Sequence, residues 1–279
     1  MVKKYNFLDG DKLYQEKARL ALPYLIRQAK AGKTIFYSDL AKEVDMTNPR
    51  NLGRVLGTIG VALNELGKAT KINIPPIQSL VINKTQKLPG DGLNEFVKDF
   101  DKFNRRQKEK IVENLLSKVY LFQDWDWVLK QFELSPVEID LKAEIKVAKN
   151  WKSKGESKLH KDFKEFISKN PNVIGLNSSI GKGETEHIFP SADAIDILFT
   201  GKRLKIGVEV KSIISDNADI LRGIFQCVKY KSLIEAEQIT ENMEPNSRVI
   251  LALQGEFPTE LDLVKNLLGV EVMDKINIE

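Results

Sequence analysis

Residues 191–212, SADAIDILFTGKRLKIGVEVKS, decide the fold of the second half of the chain. The apolar run that follows Asp196 and the run at 204–210 predict two strands joined by a turn. Because strand side chains alternate between faces, Glu209 and Lys211 point to the same side at the end of the second strand. Charged groups at the tips of apolar strands are costly unless they bind something charged. The stretch therefore predicts a charged site at one end of a hairpin.

The residue types in this site indicate a particular chemistry. Two carboxylates at this spacing can hold one Mg²⁺, a hard cation that takes oxygen ligands and keeps several waters. A lysine beside the metal can orient or deprotonate a water for attack on phosphorus, while the metal offsets charge on the phosphate. The pattern is typical of a phosphodiesterase.

Asp196 followed by Glu209-Val210-Lys211 resembles the D…(D/E)xK signature of the PD-(D/E)xK nuclease superfamily. The same Glu-x-Lys spacing occurs at residues 144–146 and 156–158, but neither copy closes a hairpin behind an aspartate. The elements around the hairpin must therefore decide whether this signature marks a nuclease site.

A helix predicted at residues 217–237 supplies that context. Gln226 lies four residues before Tyr230, so both side chains share one helix face. The pair resembles the QxxxY element found in branches of the superfamily, although a tyrosine of this kind is also a common packing residue.

The order of predicted elements also matches the family core. It is a helix at 156–169, strands at 183–189, 195–200 and 205–211, the helix at 217–237 and a strand at 247–253, followed by a helix at 258–268 and a last strand near residues 270–272. The resemblance covers about residues 150–279 and implies an α/β fold, with a restriction-endonuclease-like mixed sheet flanked by helices.

The resemblance implies roles for individual residues. Asp196, Glu209 and the Val210 carbonyl would hold Mg²⁺ or Mn²⁺, and Lys211 would position the attacking water. A glutamate on the first helix, Glu156, would complete the metal shell. Gln226 with Tyr230 would brace the site or touch the DNA backbone.

Other polar residues near the hairpin have competing interpretations. His160 is a surface residue, a partner of a metal ligand or a phosphate contact, and the surface interpretation is favoured. Asp193 is the main rival of Asp196, but only Asp196 directly precedes the apolar strand. Glu184 and Glu186 fall on the preceding strand, where we expect both to be solvated.

The first 100 residues predict a mostly helical, winged-helix-like domain. A helix at 12–30 precedes a strand at 33–37, and Ser38 is a candidate cap for a short helix. Asn48, followed by Pro49, is a candidate cap for a longer helix to about Leu66. An extended segment at residues 77–83 follows.

This region also resembles the DNA-binding domain of the alkylguanine alkyltransferase-like proteins, through residues 35–41, 48–57 and 74–75. Where that family has Pro-Cys-His-Arg, this chain has Pro-Ile-Gln-Ser at residues 76–79, so the alkyl-accepting thiol is missing. Arg50 and Arg54 are one helical turn apart and could contact phosphates. The alternative is a packing or dimerisation domain.

Composition sets the limits of these interpretations. A net charge of +4 permits nucleic-acid binding without demonstrating it. No apolar run reaches the length of a membrane span and the N-terminus lacks a signal-peptide core, so we expect a cytoplasmic protein with no membrane partner. The single cysteine, Cys227, excludes internal disulfides. Residues 101–150 are expected to form a helical connector, with a polar linker from Leu134 to Trp151.

The sequence therefore predicts a metal-dependent DNA endonuclease acting in restriction, defence or repair. The alternative is a non-catalytic DNA-binding or scaffolding protein with a degenerate nuclease fold. An RNA nuclease and a junction resolvase remain open within the enzyme class. A homodimer is also open, because cutting both strands needs two sites.

Overall fold

The computed structural model describes residues 8–137, 140–150 and 157–278. The chain divides into two compact units, Met1–Ile139 and Asp140–Glu279. Their boundary lies inside the segment 101–150, which therefore contributes helices to both units.

The first unit is mainly helical over its described residues. Its short strands, β1 (Ile35–Phe36) and β2 (Val81–Ile82), pair in parallel. Apolar faces of the first and third helices form much of the core. The helices are α1 (Leu13–Ala31), α2 (Tyr37–Glu43), α3 (Leu52–Thr70), α4 (Arg105–Leu121) and α5 (Trp125–Gln131).

The helix caps of this unit agree only in part with the sequence. Asn48 accepts a hydrogen bond from the Arg50 amide at 3.0 Å, which confirms its capping role, although a 3₁₀ turn intervenes before α3. The predicted cap at Ser38 is wrong, because α2 already begins at Tyr37. The segment predicted to be extended begins as a 3₁₀ turn, Ile77–Leu80, and only then enters β2.

In the described part of the second unit, a five-stranded mixed sheet has the order β3-β4-β5-β6-β7. The first three strands are antiparallel and the last three are parallel. This confirms a mixed α/β architecture. The strands are β3 (Glu184–Ile188), β4 (Ala194–Thr200), β5 (Lys205–Lys211), β6 (Ser247–Leu253) and β7 (Glu271–Met273).

Helices cover both faces of this sheet. They are α6 (Lys142–Asn150), α7 (Lys158–Lys169), α8 (Asn217–Thr240) and α9 (Asp262–Leu268). Ile250 and Ala252 of β6 pack in the core beneath α7, while Val249, Leu251 and Leu253 pack in the core beneath α8. A continuous apolar run such as residues 249–253 suits a central strand that is buried on both faces.

Two further sequence expectations can be compared with this unit. Residues 142–150, which we expected within a polar linker, form α6 and pack on α8. Cys227 is buried in the core beneath α8. None of the helices in the described ranges combines the length and the hydropathy that a bilayer-crossing segment needs.

Candidate active site

Asp196 and Glu209 lie on neighbouring strands at one end of the sheet. The antiparallel register ends with Ile197 of β4 paired to Val208 of β5, and the two carboxylates are the next residues beyond that pair. Asp196 Oδ2 accepts a hydrogen bond from the Val210 amide at 2.8 Å, which fixes this carboxylate against β5.

Lys211 completes the row at the end of β5. Its side chain is only 4% exposed, and its Nζ lies 3.0 Å from Glu209 Oε1 and 3.1 Å from Asp219 Oδ1. A Cβ at position 223 of α8 would come within 2.8 Å of Lys211 Cε. Gly223 is therefore required for the lysine to lie against the helix.

Gln226 and Tyr230 connect α8 to the same site. Gln226 Oε1 lies 3.4 Å from Lys211 Nζ, and Gln226 Nε2 lies 3.5 Å from the Tyr230 hydroxyl. That hydroxyl donates a 2.6 Å hydrogen bond to the Ala194 carbonyl at the start of β4. The two residues thus link the lysine to the strand that carries Asp196.

His160 belongs to the site, and the surface interpretation favoured from sequence is wrong. Ser157 caps α7 by accepting from the His160 amide, and the imidazole Nε2 lies 3.4 Å from Asp196 Oδ1. Its side chain is 20% exposed. The N-terminal turn of α7 therefore brings the His160 imidazole to the carboxylate pair, on the side away from Lys211.

The rival carboxylates have other partners. Asp193 is partly exposed and pairs with Lys229 at 2.8 Å. Glu184 pairs with His187, and its side chain is mostly exposed. Glu186 of β3 lies between the residues that pair with Ile197 and Ile195, and it binds Lys164 Nζ at 2.8 Å.

Burial and mutual repulsion act together on the carboxylate pair. Burial, followed by the charge of Asp196, raises the pKa of Glu209 to about 7. Burial also acts to raise the pKa of Asp196, but the hydrogen bond and charge of His160 outweigh it and leave this pKa below its ordinary value. Near neutral pH, Asp196 is ionised and Glu209 is only partly so.

The pKa values of Lys211 and His160 are both raised. Burial acts to lower the pKa of Lys211, but the charges of Glu209 and Asp219 outweigh it and raise this pKa. The hydrogen bond with Asp196 raises the pKa of His160. Lys211 therefore acts as a fixed positive charge and hydrogen-bond donor.

The donor set fits a small hard cation. Carboxylate oxygens of Asp196 and Glu209 are the ligand type that Mg²⁺ prefers. The Val210 carbonyl shares its strand edge with the Val210 amide, which already faces Asp196. Across residues 8–137, 140–150 and 157–278, no group of three or more His, Cys, Asp or Glu side chains is arranged to hold a metal. Carbonyl and water oxygens would therefore fill the remaining positions, and the predicted ligand Glu156 lies outside the described residues.

Two residues of the site were missed from sequence. Asp219 shares one stripe of α8 with Gly223, Gln226 and Tyr230, so helical spacing alone could have identified it. Gly223 shows its role only through contact with Lys211.

The arginines predicted to bind nucleic acid lie in the first unit. Arg50 is exposed in the 3₁₀ turn before α3, whereas Arg54 is exposed on α3 itself. The Arg54 guanidinium lies 5.4 Å from the centre of the Tyr14 ring. Both side chains are therefore near one end of α3, with Arg54 held against an aromatic ring.

Comparison of the chain with protein-family models, with curated proteins and with solved structures finds no match. The residues of the site are therefore the basis for a functional assignment.

Proposed function

We propose that the second unit is a Mg²⁺- or Mn²⁺-dependent DNA endonuclease of the PD-(D/E)xK type. The observation that carries the proposal is the convergence of Asp196, Glu209 and a buried, protonated Lys211 at one edge of the sheet. A carboxylate pair beside a buried ammonium suits a site that takes up a divalent cation and an anionic substrate.

The topology supports the finer fold assignment within this proposal. From α7 onward, one helix precedes the antiparallel strands β3, β4 and β5, and α8 then crosses over to the parallel strand β6. This is the element order that the restriction-endonuclease-like core implies. The site lies where β4 begins and β5 ends, with a helix on each side.

The cation would be held by Asp196, Glu209 and the Val210 carbonyl. When bound, Mg²⁺ supplies Lewis acidity that offsets charge on the scissile phosphate and lowers the pKa of water. His160 donates to Asp196 in its protonated form and so keeps that carboxylate oriented and ionised.

Lys211 would position the attacking water and stabilise the developing negative charge. Because its pKa is raised, it does so as an ammonium group and does not remove a proton. Asp219 and Gln226 restrict its side chain from α8, and Tyr230 ties Gln226 to β4. A preorganised charge of this kind is worth on the order of 100-fold or more in rate.

The same proposal assigns DNA binding to the first unit, as a winged-helix-like module. The exposed Arg50 and Arg54 beside the start of α3 are suited to phosphate contacts, which position a protein without reading sequence. We also propose that the protein is cytoplasmic and that it forms a homodimer, which would cut both strands.

Supercoiled plasmid incubated with Mg²⁺, Mn²⁺ or EDTA tests the activity. We expect metal-dependent nicking or linearisation that Lys211→Ala reduces by about 100-fold or more. Lys205→Ala is the matched control, because Lys205 is equally buried on the same face of β5 and also binds two carboxylates. It should cleave at nearly the parental rate once its folded fraction is allowed for.

Two results would contradict the nuclease assignment. One is equal loss of cleavage in Lys205→Ala and Lys211→Ala at matched folded fractions. The other is a parental protein that retards plasmid in a gel shift but leaves it intact with either metal, which would favour the non-catalytic DNA-binding alternative.

A further inference from the structure

A cavity of about 390 Å³ opens between α6 and α8, next to the candidate active site. Ile145 and Ala148 of α6 and Phe225 of α8 form its apolar part. Lys149, Arg222 and Lys229 also line it. We call this space the α6–α8 groove.

The groove is continuous with the site through one residue. Gln226 lines the groove, and its Oε1 also lies 3.4 Å from Lys211 Nζ. Arg222, Phe225, Gln226 and Lys229 recur at intervals of three and four residues, so they form one stripe along α8. A ligand in the groove would therefore run along α8 and end beside Lys211.

The groove is lined by positive charges, whereas the proposed metal site is formed by the carboxylates Asp196 and Glu209. Lys149, Arg222 and Lys229 are cations, and no carboxylate is among the described residues that line the groove. The Lys229 ammonium also pairs with Asp193 at 2.8 Å. An anionic chain that enters here would meet cations first and the buried ammonium of Lys211 at its end.

Given the nuclease function proposed above, on which this step rests, we infer that the α6–α8 groove binds single-stranded DNA on one side of the cleaved bond. A base stacks on the Phe225 ring, and Lys149, Arg222 and Lys229 contact the flanking phosphates. Aromatic rings combined with cations are the usual means of holding single strands, because every base offers a π-face.

The half-buried position of Phe225 distinguishes a single strand from a duplex. A duplex presents phosphates at its surface and keeps its bases stacked inside, so it has nothing to place on a recessed ring. The groove volume also lies in the range of clefts that bind small organic ligands.

The test is fluorescence anisotropy of the full chain in EDTA with a labelled oligothymidylate of about 15 nucleotides, beside a duplex of the same length. Phe225→Leu keeps an apolar side chain but removes the ring. It should weaken binding of the single strand by about tenfold, leave the salt dependence unchanged and leave duplex binding within about twofold.

A matched pair of lysines tests the charge. Lys229 and Lys231 are both on α8, are 45% and 49% exposed, and each faces a carboxylate, but only Lys229 lines the groove. Lys229→Gln and Lys149→Gln should each lower the slope of log Kd against log salt by about 1, whereas Lys231→Gln should not change it. Melting temperatures confirm that each variant is folded.

Unchanged single-strand affinity in folded Phe225→Leu, or equal effects of Lys229→Gln and Lys231→Gln, would overturn the inference. Groove variants that weaken single-strand and duplex binding equally would overturn it in favour of plain duplex binding. If either of these results occurs while metal-dependent plasmid cleavage is intact, only the groove assignment is refuted. Groove-dependent binding by a parental protein that never cleaves removes only the nuclease assignment.

Discussion

The two ends of strand β5 carry similar groups with different consequences. Lys205 at one end lies 2.9 Å from Glu237 and 2.7 Å from Glu241. Lys211 at the other end lies about as close to Glu209 and Asp219. Both lysine side chains are almost fully buried, and in both cases the carboxylates outweigh burial and raise the pKa of the lysine.

The carboxyl groups distinguish the two ends. Burial acts to raise the pKa of Glu237, but hydrogen bonds from Lys205 and His187 outweigh it, and this pKa falls below its ordinary value. At the other end, burial and the charge of Asp196 raise the pKa of Glu209. At the Lys205 end the ionised form of Glu237 is therefore favoured, whereas at the Lys211 end the ionised form of Glu209 is disfavoured.

This comparison shows that a buried ion pair does not identify a functional site. A functional site is identified by a carboxylate whose ionised form stays unfavourable even though a cation is bonded to it. A bound cation would relieve this unfavourable interaction, so the relieved free energy would add to the affinity for the cation.

The largest expected effect concerns cleavage by Glu209→Gln. The amide keeps the shape of the side chain but lacks the charge, so we expect plasmid cleavage to fall by about 100-fold or more. Glu237→Gln, at the other end of β5, should change the rate by less than about threefold. Comparable losses in both variants would mean that the two ends of the strand do not differ in function.

The variants Glu209→Gln and Glu237→Gln should show opposite effects of pH on stability. Thermal or urea unfolding without metal measures this stability. Because the folded pKa of Glu209 is raised, the parental protein loses stability as pH rises toward and through about 7. Glu209→Gln avoids this loss, so its stability relative to the parent should rise by roughly 1–3 kcal/mol between pH 5 and pH 8.

Glu237 has a lowered folded pKa, so its contribution is present above its unfolded pKa and is lost as pH falls through the folded value. Glu237→Gln should therefore be less stable than the parent at pH 8, with a smaller deficit toward pH 4. The same sign of pH dependence in both variants would refute the charge difference between the two ends.

Metal affinity should also depend on pH. Glu209 must release its proton to bind a cation, so the affinity for Mn²⁺ should rise by up to about tenfold per unit as pH increases toward 7 and then level off. Isothermal titration calorimetry in buffers of different ionisation enthalpy would also detect the released proton. A constant affinity from pH 6 to pH 8 would count against Glu209 as a ligand.

A smaller effect is expected from Gly223→Ala. The new methyl group would meet Lys211 Cε and Leu251 Cδ1, each at 2.8 Å, so the lysine must move. We expect about a tenfold loss of cleavage and a cost of roughly 1–3 kcal/mol, partly offset by the better helix propensity of alanine.

Gly207→Ala is the control for Gly223→Ala. Its methyl group would meet Ile195 and Ile234 but not Lys211. It should lose stability and keep its cleavage rate per folded molecule. Parental activity in folded Gly223→Ala would show that the position of Lys211 is not critical.

The smallest effect is expected from Tyr230→Phe. It removes the 2.6 Å hydrogen bond to the Ala194 carbonyl, which should cost about 1 kcal/mol of stability and slow cleavage a few-fold. Urea unfolding and plasmid cleavage measure the two quantities. A loss of activity as large as that of Glu209→Gln would assign Tyr230 a direct role in the reaction.

Much of the second unit could be predicted from sequence because β4, β5 and β6 are mainly apolar runs between turns. Strands β5 and β6 have the predicted bounds. Helix α6 was not predicted, because it is rich in lysine and its small apolar face becomes evident only when packed on α8.

The site could be predicted only where its residues follow strand or helix periodicity. The hairpin indicated Asp196, Glu209 and Lys211, but the pairing of His160 with Asp196 depends on how α7 packs beside β4. Such contacts come from tertiary structure and leave no periodic signal in the sequence.

The most direct test of the difference between the two ends of β5 is Mn²⁺ binding at pH 8 by isothermal titration calorimetry. The parental protein and Glu237→Gln should both bind Mn²⁺ at a site that Asp196→Asn loses. Binding that survives unchanged in Asp196→Asn, or no binding by the parental protein, would contradict a cation site at the Lys211 end.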